Sequence, residues 1–522
     1  MKRLWLIFGL FTSFAGQVDA QQYGVLSGSF ETNTIYYSKD NKIGVDCPDD
    51  KFASNNYLKL DYTLGKFVFG VQFEGYYPAL LGYPEQLRDS KITNKFVGFT
   101  DRDFAVTVGD FYDQFGNGLI FRSWEDRTLG FNNSIEGVNA SYSTKYVSLK
   151  GIWGRQRKYM DYGEGKVRGV DLSVNLAQTF GMPLDLLSLE GSWVSRYQAY
   201  TGSADVPVNV EAFSGRLNIY QGGFQLKAEY AEKTKDPMLS NGNVLNRGNA
   251  LLIEMGYSGK RFGVLAMARR LEYMDFRSER GAAGLECNLN YLPSLTRQHE
   301  YALANLNPHS TMPNGEIGGQ FDLYYHIPAK SAWGGRYGMK LHVNMSGFYN
   351  LKRKDIDQYE FLKWGDNQLY RDINFDVLKK WGSRFKTILM GSFQKYNTLL
   401  IGKPETIYTS SIGVLDMTYK VGKNHSLRLE LQHLWSEDYY KNWAYAMLEY
   451  SIAPSWSFYA SDMYNYGDTG NHYYNGGLSF AKSRTRVALS YGRNREGYTC
   501  SGGVCRYTPA FTGLNLVLSS SF

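Results

Sequence analysis

The chain has 522 residues, with 57 Lys and Arg against 50 Asp and Glu and a net charge of +7. The charges are mixed along the chain, with no basic patch interleaved with aromatics, which excludes nucleic acid as the expected partner. Mean hydropathy is −0.39, too low for a bundle of transmembrane helices, while 42 Tyr, 55 Gly, 13 Pro and 16 % aromatics suit many strands and turns.

The start, MKRLWLIFGLFTSFAGQVDA, reads as a secretory signal peptide over residues 1–20. Lys2 and Arg3 form the positive end, and Leu4 to Phe14 is an apolar run of about 11 residues, too short to span a bilayer. VDA places small residues for cleavage after Ala20. The remainder, 21–522, reads as a single domain.

From there, alternation recurs. QQYGVLSGSFETNTIYY is the first expected strand. YLKLDYTL sets Leu58, Leu60 and Tyr62 against Lys59 and Asp61; GVDLSVNL sets Val170 and Leu172 against Asp171; FQLKAEY sets Leu226 and Tyr230 against Lys227 and Glu229. SLRLELQ sets Leu427, Leu429 and Leu431 against Arg428 and Glu430, and RVALSY places Val487 and Leu489 opposite Arg486. A period of two means strands with one apolar and one polar face. A soluble sandwich would alternate as well, so loop lengths have to decide. Short connections near Lys66 and at 143–145, 258–260, 421–423, 453–454 and 482–483 alternate with long ones at 38–53, 78–90, 111–133, 233–248, 273–315, 350–367 and 493–508. That rhythm predicts an all-β, transmembrane, antiparallel up-and-down barrel of about 24 strands (range about 20–26), each roughly 9–13 residues long. Both ends of the ring then lie on the periplasmic side. Aromatics near strand ends, such as Trp456, Tyr464 and Tyr466, suit interface girdles. The polar parity (Lys59, Asp61, Asp171, Lys227, Glu229, Asp416, Arg428, Glu430, Glu449, Arg486) is expected to line the lumen with both signs of charge.

One stretch breaks the rhythm: VGDFYDQFGNGLIFRSWEDRTLGFNNSIEGVNASY, 107–142. Leu119, Ile120 and Phe121 want burial, and Asp110, Asp113, Arg122, Glu125, Asp126 and Arg127 crowd around them. A loop folded into the lumen over 107–133 satisfies both demands, with the apolar residues on the wall and the charges toward the pore; an ordinary surface hairpin is the alternative. A barrel this wide needs filling, because 16–18 strands already leave an aqueous channel. The long extracellular loop 273–315 could contribute to that filling. It holds Glu286, His299, Glu300 and His309, but not at the HExxH spacing of a zinc site, so neither metal nor cofactor is expected.

Four cysteines fall in expected external loops. CSGGVC favours a Cys500–Cys505 disulfide in an exported chain; Cys47 and Cys287 could pair or stay free. The chain closes on TGLNLVLSSSF, with Leu514, Leu516, Leu518 and Phe522 on one parity. An alternating last strand must pair with the first if the ring is to have no edge.

That ending resembles the insertion signal of bacterial outer-membrane proteins, which implies lipid and the barrel-assembly machinery as partners. The early strand leading into an inward loop resembles porin-like and glycan-export barrels. The 107–142 segment is similar to a stretch of the form FYxQFGxGLxFRxxEDRxLGxxN in an uncharacterised family of Bacteroidota outer-membrane β-barrels. That resemblance implies the fold and an outer-membrane location for the whole chain, and no activity. The expectation is a channel passing a hydrophilic solute or polymer. The alternative is an anchor for a surface or secretion complex. An enzyme is the third reading, since no Ser or Asp signature accompanies His299, His309, His326, His342, His425, His433 or His472 and no catalytic residue is expected.

Overall fold

The computed structural model describes residues 24–202, 206–355, 358–438 and 441–522; the expected signal peptide lies outside them. The described strands are β1 (Val25–Ser38), β2 (Phe52–Leu64), β3 (Phe67–Tyr76), β4 (Ser90–Asp101), β5 (Phe104–Phe111), β6 (Glu125–Asp126), β7 (Phe131–Asn132), β8 (Ile135–Ser143), β9 (Val147–Lys158) and β10 (Asp161–Asn175). Then come β11 (Leu186–Tyr197), β12 (Asn209–Gln221), β13 (Phe224–Lys233), β14 (Gly248–Ser258), β15 (Phe262–Glu272), β16 (Glu316–Ile327), β17 (Met339–Asp355), β18 (Gln358–Lys380) and β19 (Phe385–Asn397). The series ends with β20 (Ile407–Lys420), β21 (His425–Trp435), β22 (Trp443–Ile452), β23 (Trp456–Asn465), β24 (Asn471–Lys482), β25 (Thr485–Asn494), β26 (Gly497–Ser501), β27 (Val504–Thr508) and β28 (Phe511–Ser521). Two pairs, β6–β7 and β26–β27, form small separate hairpins. The other strands form one 24-stranded antiparallel sheet.

The sheet closes on itself. β28 runs antiparallel to β1 from Ser29↔Ser521 to Ser38↔Thr512. One step further, the Phe522 N–H and C=O both bond Gly28, at 3.0 Å each. The Phe522 ring lies over Gly28, where a Cβ would come within 2.6 Å of it, so closure needs a glycine there. A closed ring removes the edge strands that an open sheet would expose.

Burial separates the two faces. Val170, Leu172, Leu189, Leu431 and Leu489 are exposed on the outside, as a lipid-facing parity must be. Phe67, Phe104 and Trp456 sit near the short-turn rim, and Tyr230, Trp435 and Tyr466 near the long-loop rim, all exposed.

One expectation about loops needs correction. Residues 350–367 are an extension of the β17–β18 hairpin, with Leu351 opposite Trp364 and Arg353 opposite Tyr359. The hairpin leans on the ring, with the Phe361 ring 6.4 Å from that of Tyr230 and Arg270 5.0 Å from the Phe361 centroid, while Lys352, Arg353, Lys354 and Asp355 stay exposed. Segment 273–315 contributes to the filling as expected: its apolar residues enter the barrel's internal core.

Candidate functional site

The barrel's contents are built around QFGNGLIF. Gly116 and Gly118 take positive φ, +53° and +89°, a conformation that favours glycine. The turn they make is closed by Gly118 N–H to Phe115 O (2.9 Å) and Phe115 N–H to Phe121 O (3.1 Å). It brings Phe115, Leu119, Ile120 and Phe121 together with no exposed surface. They pack on the inward residues Ile152, Val167, Val194 and Val210 of β9 to β12, and on Met274, Phe276, Leu289 and Leu295 of the second segment. Each such side chain withdrawn from water contributes about 1.5–3 kcal/mol. The segments are also stitched by backbone: Arg122 N–H donates to Leu289 O (2.8 Å) and Tyr291 N–H to Gly118 O (2.9 Å). Asn133 Nδ2 donates to Asn288 O at 2.7 Å. Segments 111–133 and 273–315 are therefore one plug.

The charges of the first segment clasp it. Asp113 meets Lys150 of β9 at 2.6 Å and accepts from Asn139 Nδ2 at 2.9 Å. Arg122 lies over the rings of Trp124 and Tyr291, 4.9 and 4.1 Å from their centroids. Glu125 accepts from Gln72 Nε2 (2.8 Å). Arg127 pairs with Glu31 of β1 (2.8 Å) and Glu125 (3.4 Å); burial would lower its pKa, but these carboxylates raise it. Asp126 accepts the N–H groups of Thr128 and Leu129 at 2.9 and 3.1 Å. Asp110 is a correction. It belongs to β5 and pairs with Glu136, and the neighbouring Val108 and Val138 of that parity are exposed on the outer face. Its carboxylate accepts from the Lys95 N–H (2.9 Å) and the Tyr162 hydroxyl (2.8 Å). Phe111, the next residue, turns into the internal core, so Asp110, of the other parity, faces away from the lumen.

The inward parity carries paired charges. Lys59 meets Asp61 (3.2 Å), Asp171 meets Arg216 (2.5 Å), and Lys227 meets Glu254 (3.1 Å). Glu229 accepts the plug's Asn117 N–H at 2.9 Å. Arg428 joins Asp416 (2.9 Å) to Glu430 (2.6 Å) and approaches Glu449 at 3.9 Å. Arg486 sits opposite Ser519 of β28. Sequence reading missed the more deeply buried pairs. Arg157 binds both Glu74 oxygens, at 2.6 and 2.8 Å. Arg196 holds Asp236 at 2.6 Å, and Arg269 holds Glu316. His342 bridges Asp322 and Asp376 at 3.0 Å each, and His299 reaches Asp372 at 2.5 Å. The parity of His342 within its strand is the signal that could have found it.

One relay has the residue types of a nucleophilic triad. Ser294 Oγ lies 2.9 Å from His309 Nδ1, and His309 Nε2 lies 3.0 Å from Glu316. Glu316 is shared with the buried Arg269. Gly503 covers Ser294 so closely that a Cβ there would come within 2.9 Å of the Ser294 Cβ. The relay satisfies buried groups and fixes the plug. Among the described residues, no group of three His, Cys, Asp or Glu is placed to hold a metal ion.

Cys500 and Cys505 form a disulfide across the β26–β27 hairpin. Cys47 and Cys287 are unpaired; burial pushes the Cys287 thiol up to about 11. Beside the plug lie several cavities: a roomier one of about 660 Å³ against Leu306 and Asn307, and three smaller ones that adjoin one another. The first of these three, about 410 Å³, is bounded by Tyr57, Glu74, Glu125 and Arg157. A second, of about 420 Å³, is bounded by Asn33, Asn55 and Asn515, and a third, also about 420 Å³, by Asp126, Gln298 and Glu300. The first two share Tyr57, Arg127 and Arg506; the last two share Thr128 and Thr499. The residual space thus runs around one flank of the plug.

The model of a family described as a family of unknown function (DUF6029) matches residues 1–522. No curated protein matches the chain. Among solved structures, the E. coli P pilus tip assembly intermediate PapC-PapD-PapK-PapG gives a TM-score of 0.52 at 12 % identity, covering 97 % of this chain and 63 % of that one. The P pilus usher (PapC) translocation pore gives 0.49 at 12 % identity, covering 95 % and 99 %. OccK3 of Pseudomonas aeruginosa gives 0.37 at 12 % identity, covering 95 % of each. At this identity the first likeness concerns the fold alone.

Proposed function

Since the chain belongs to this family of unknown function, matched over its whole length, we propose from its own geometry that it is an outer-membrane channel whose lumen is narrowed by a folded-in plug and which passes a hydrophilic solute or polymer. A closed 24-strand ring with an exposed apolar outer parity fits an integral outer-membrane protein, with lipid and the assembly machinery as its partners. The observation that carries the channel reading is the set of adjoining cavities between plug and wall, lined by polar and paired charged groups. A purely structural filler would leave no such hydrophilic seam. Because both signs line it, the passage has weak ion preference. We assign it no reaction.

Planar-bilayer recordings on refolded protein test this. The expected result is small, discrete conductance steps with little selectivity between anions and cations. Strong selectivity overturns the charge assignment, and a silent bilayer with demonstrably folded protein overturns the channel. An anchor role is the second reading. It is favoured by the projecting β17–β18 hairpin, which exposes Phe361, Leu362 and Trp364 as a contact surface for components of a surface or secretion complex. Under that reading a partner co-purifies through this hairpin and no current is seen.

A further inference from the structure

The middle cavity, about 420 Å³, lies where the ring closes. Asn33 of β1, Asn55 of β2 and Asn515 of β28 supply its wall; Arg127, Arg506 and Thr508 supply the plug side. Its hydrogen-bonding groups are under-used. Among the described residues, Asn33 Oδ1, Asn515 Oδ1 and Thr508 Oγ1 are shielded from solvent and have no partner, while Asn55, only 1 % exposed, accepts the Leu80 N–H at 3.1 Å and with Arg506 turns toward the Tyr83 hydroxyl. Buried polar atoms are nearly always paired in a folded protein, so such a concentration needs an explanation. The formal charges there are spoken for: Arg127 is bound to Glu31 and Glu125, and two Arg506 nitrogens donate to the Leu81 and Thr128 carbonyls at 3.3 and 3.1 Å. What stays idle is mainly neutral amide and hydroxyl. Amides both donate and accept, as the hydroxyls of a sugar do. Tyr57, Tyr83 and Phe511 add apolar surface at the cavity edge. The volume falls within the usual range of small-molecule sites, about 300–1,000 Å³.

We propose that this seam cavity is a binding site for a neutral, polyhydroxylated ligand, a sugar or short oligosaccharide, recognised by Asn33 and Asn515. This deepens the channel reading and rests on it for purpose: the site would be a station on the passage beside the plug.

The test is calorimetric titration of the refolded full chain in lauryldimethylamine oxide, a detergent without a sugar head group. The probes are maltotriose and the anionic trigalacturonate. Maltotriose binding is expected, with no comparable binding of trigalacturonate. Asn33→Leu and Asn515→Leu, each shown to be folded by heat-modifiable gel mobility, are expected to weaken maltotriose at least tenfold. No maltotriose binding, equal binding by both variants, or tighter binding of trigalacturonate overturns the proposal. Conductance is recorded separately. Protein that conducts but binds no maltotriose loses the site and keeps the channel; protein that binds but passes no current keeps the site and loses the channel.

Discussion

The wall formed by β9 to β15 and the wall formed by β28, β1 and β2 share one backbone geometry and, at the level of the plug, offer it different chemistry. The first turns Ile152, Val167, Val194, Val210, Ala250 and Leu252 inward, and the plug's apolar residues cover them. The second turns Asn33, Asn55, Asn515 and Ser519 inward, beside open space. Burying apolar area is what fastens a plug, so the plug sits against the greasy wall and a hydrophilic seam survives at the other. A wide barrel can thus be filled without being sealed.

Three experiments break or sharpen that contrast. The largest effect is expected from Phe121→Ala. Phe121 is fully buried, and truncating such a ring costs about 3–5 kcal/mol. The plug should loosen while the ring stays closed, so trypsin should reach 111–133 and conductance should rise several-fold with heat-modifiable mobility unchanged. If the ring itself unfolds, plug and wall form one cooperative unit and the contrast fails.

Asp113→Ala is expected to act more gently. It removes the 2.6 Å contact with the partly exposed Lys150, worth about 1 kcal/mol at a site part-open to water. Bilayer recordings should show more frequent opening, and the difference from wild type should shrink at high salt.

The smallest effect concerns the polar wall's own fastening. Asp40, just beyond β1, binds Arg493 (2.7 Å) and Thr512 (2.7 Å), tying β1, β25 and β28 together. Burial alone would raise its pKa, but Arg493, Thr512 and the Lys42 N–H hold it below the ordinary 3.8. A lowered carboxylate stabilises fully above the ordinary value and loses that stabilisation as pH falls through the lowered one. Acid titration monitored by heat modifiability should therefore weaken wild type below pH 3.8 while leaving Asp40→Asn unchanged over the same window. An identical acid response in both proteins would remove Asp40 as a seam fastener.

Much of this was legible in the chain. The alternation of YLKLDYTL and SLRLELQ separated lumen from lipid, since a side chain's face follows from its position in a strand. GLIF announced its own burial. Asp110 was misplaced because the end of β5 could not be told from the start of the loop, and one residue of strand reverses a side chain. The projecting hairpin at 350–367 looked like a loop because charge on both faces carries no period. The Arg157–Glu74 pair joins residues 83 positions apart, on β9 and β3, with β4, β5 and β8 between them in the ring.

By itself, then, the sequence determined a closed ring of strands, its two faces and the need to bury one loop, because period-two patterning and apolar side chains act locally and at every position. Tertiary structure decided which wall receives the plug, which charges meet and where vacant space stays hydrophilic. Those outcomes depend on distances across the lumen, and a linear pattern holds no record of them.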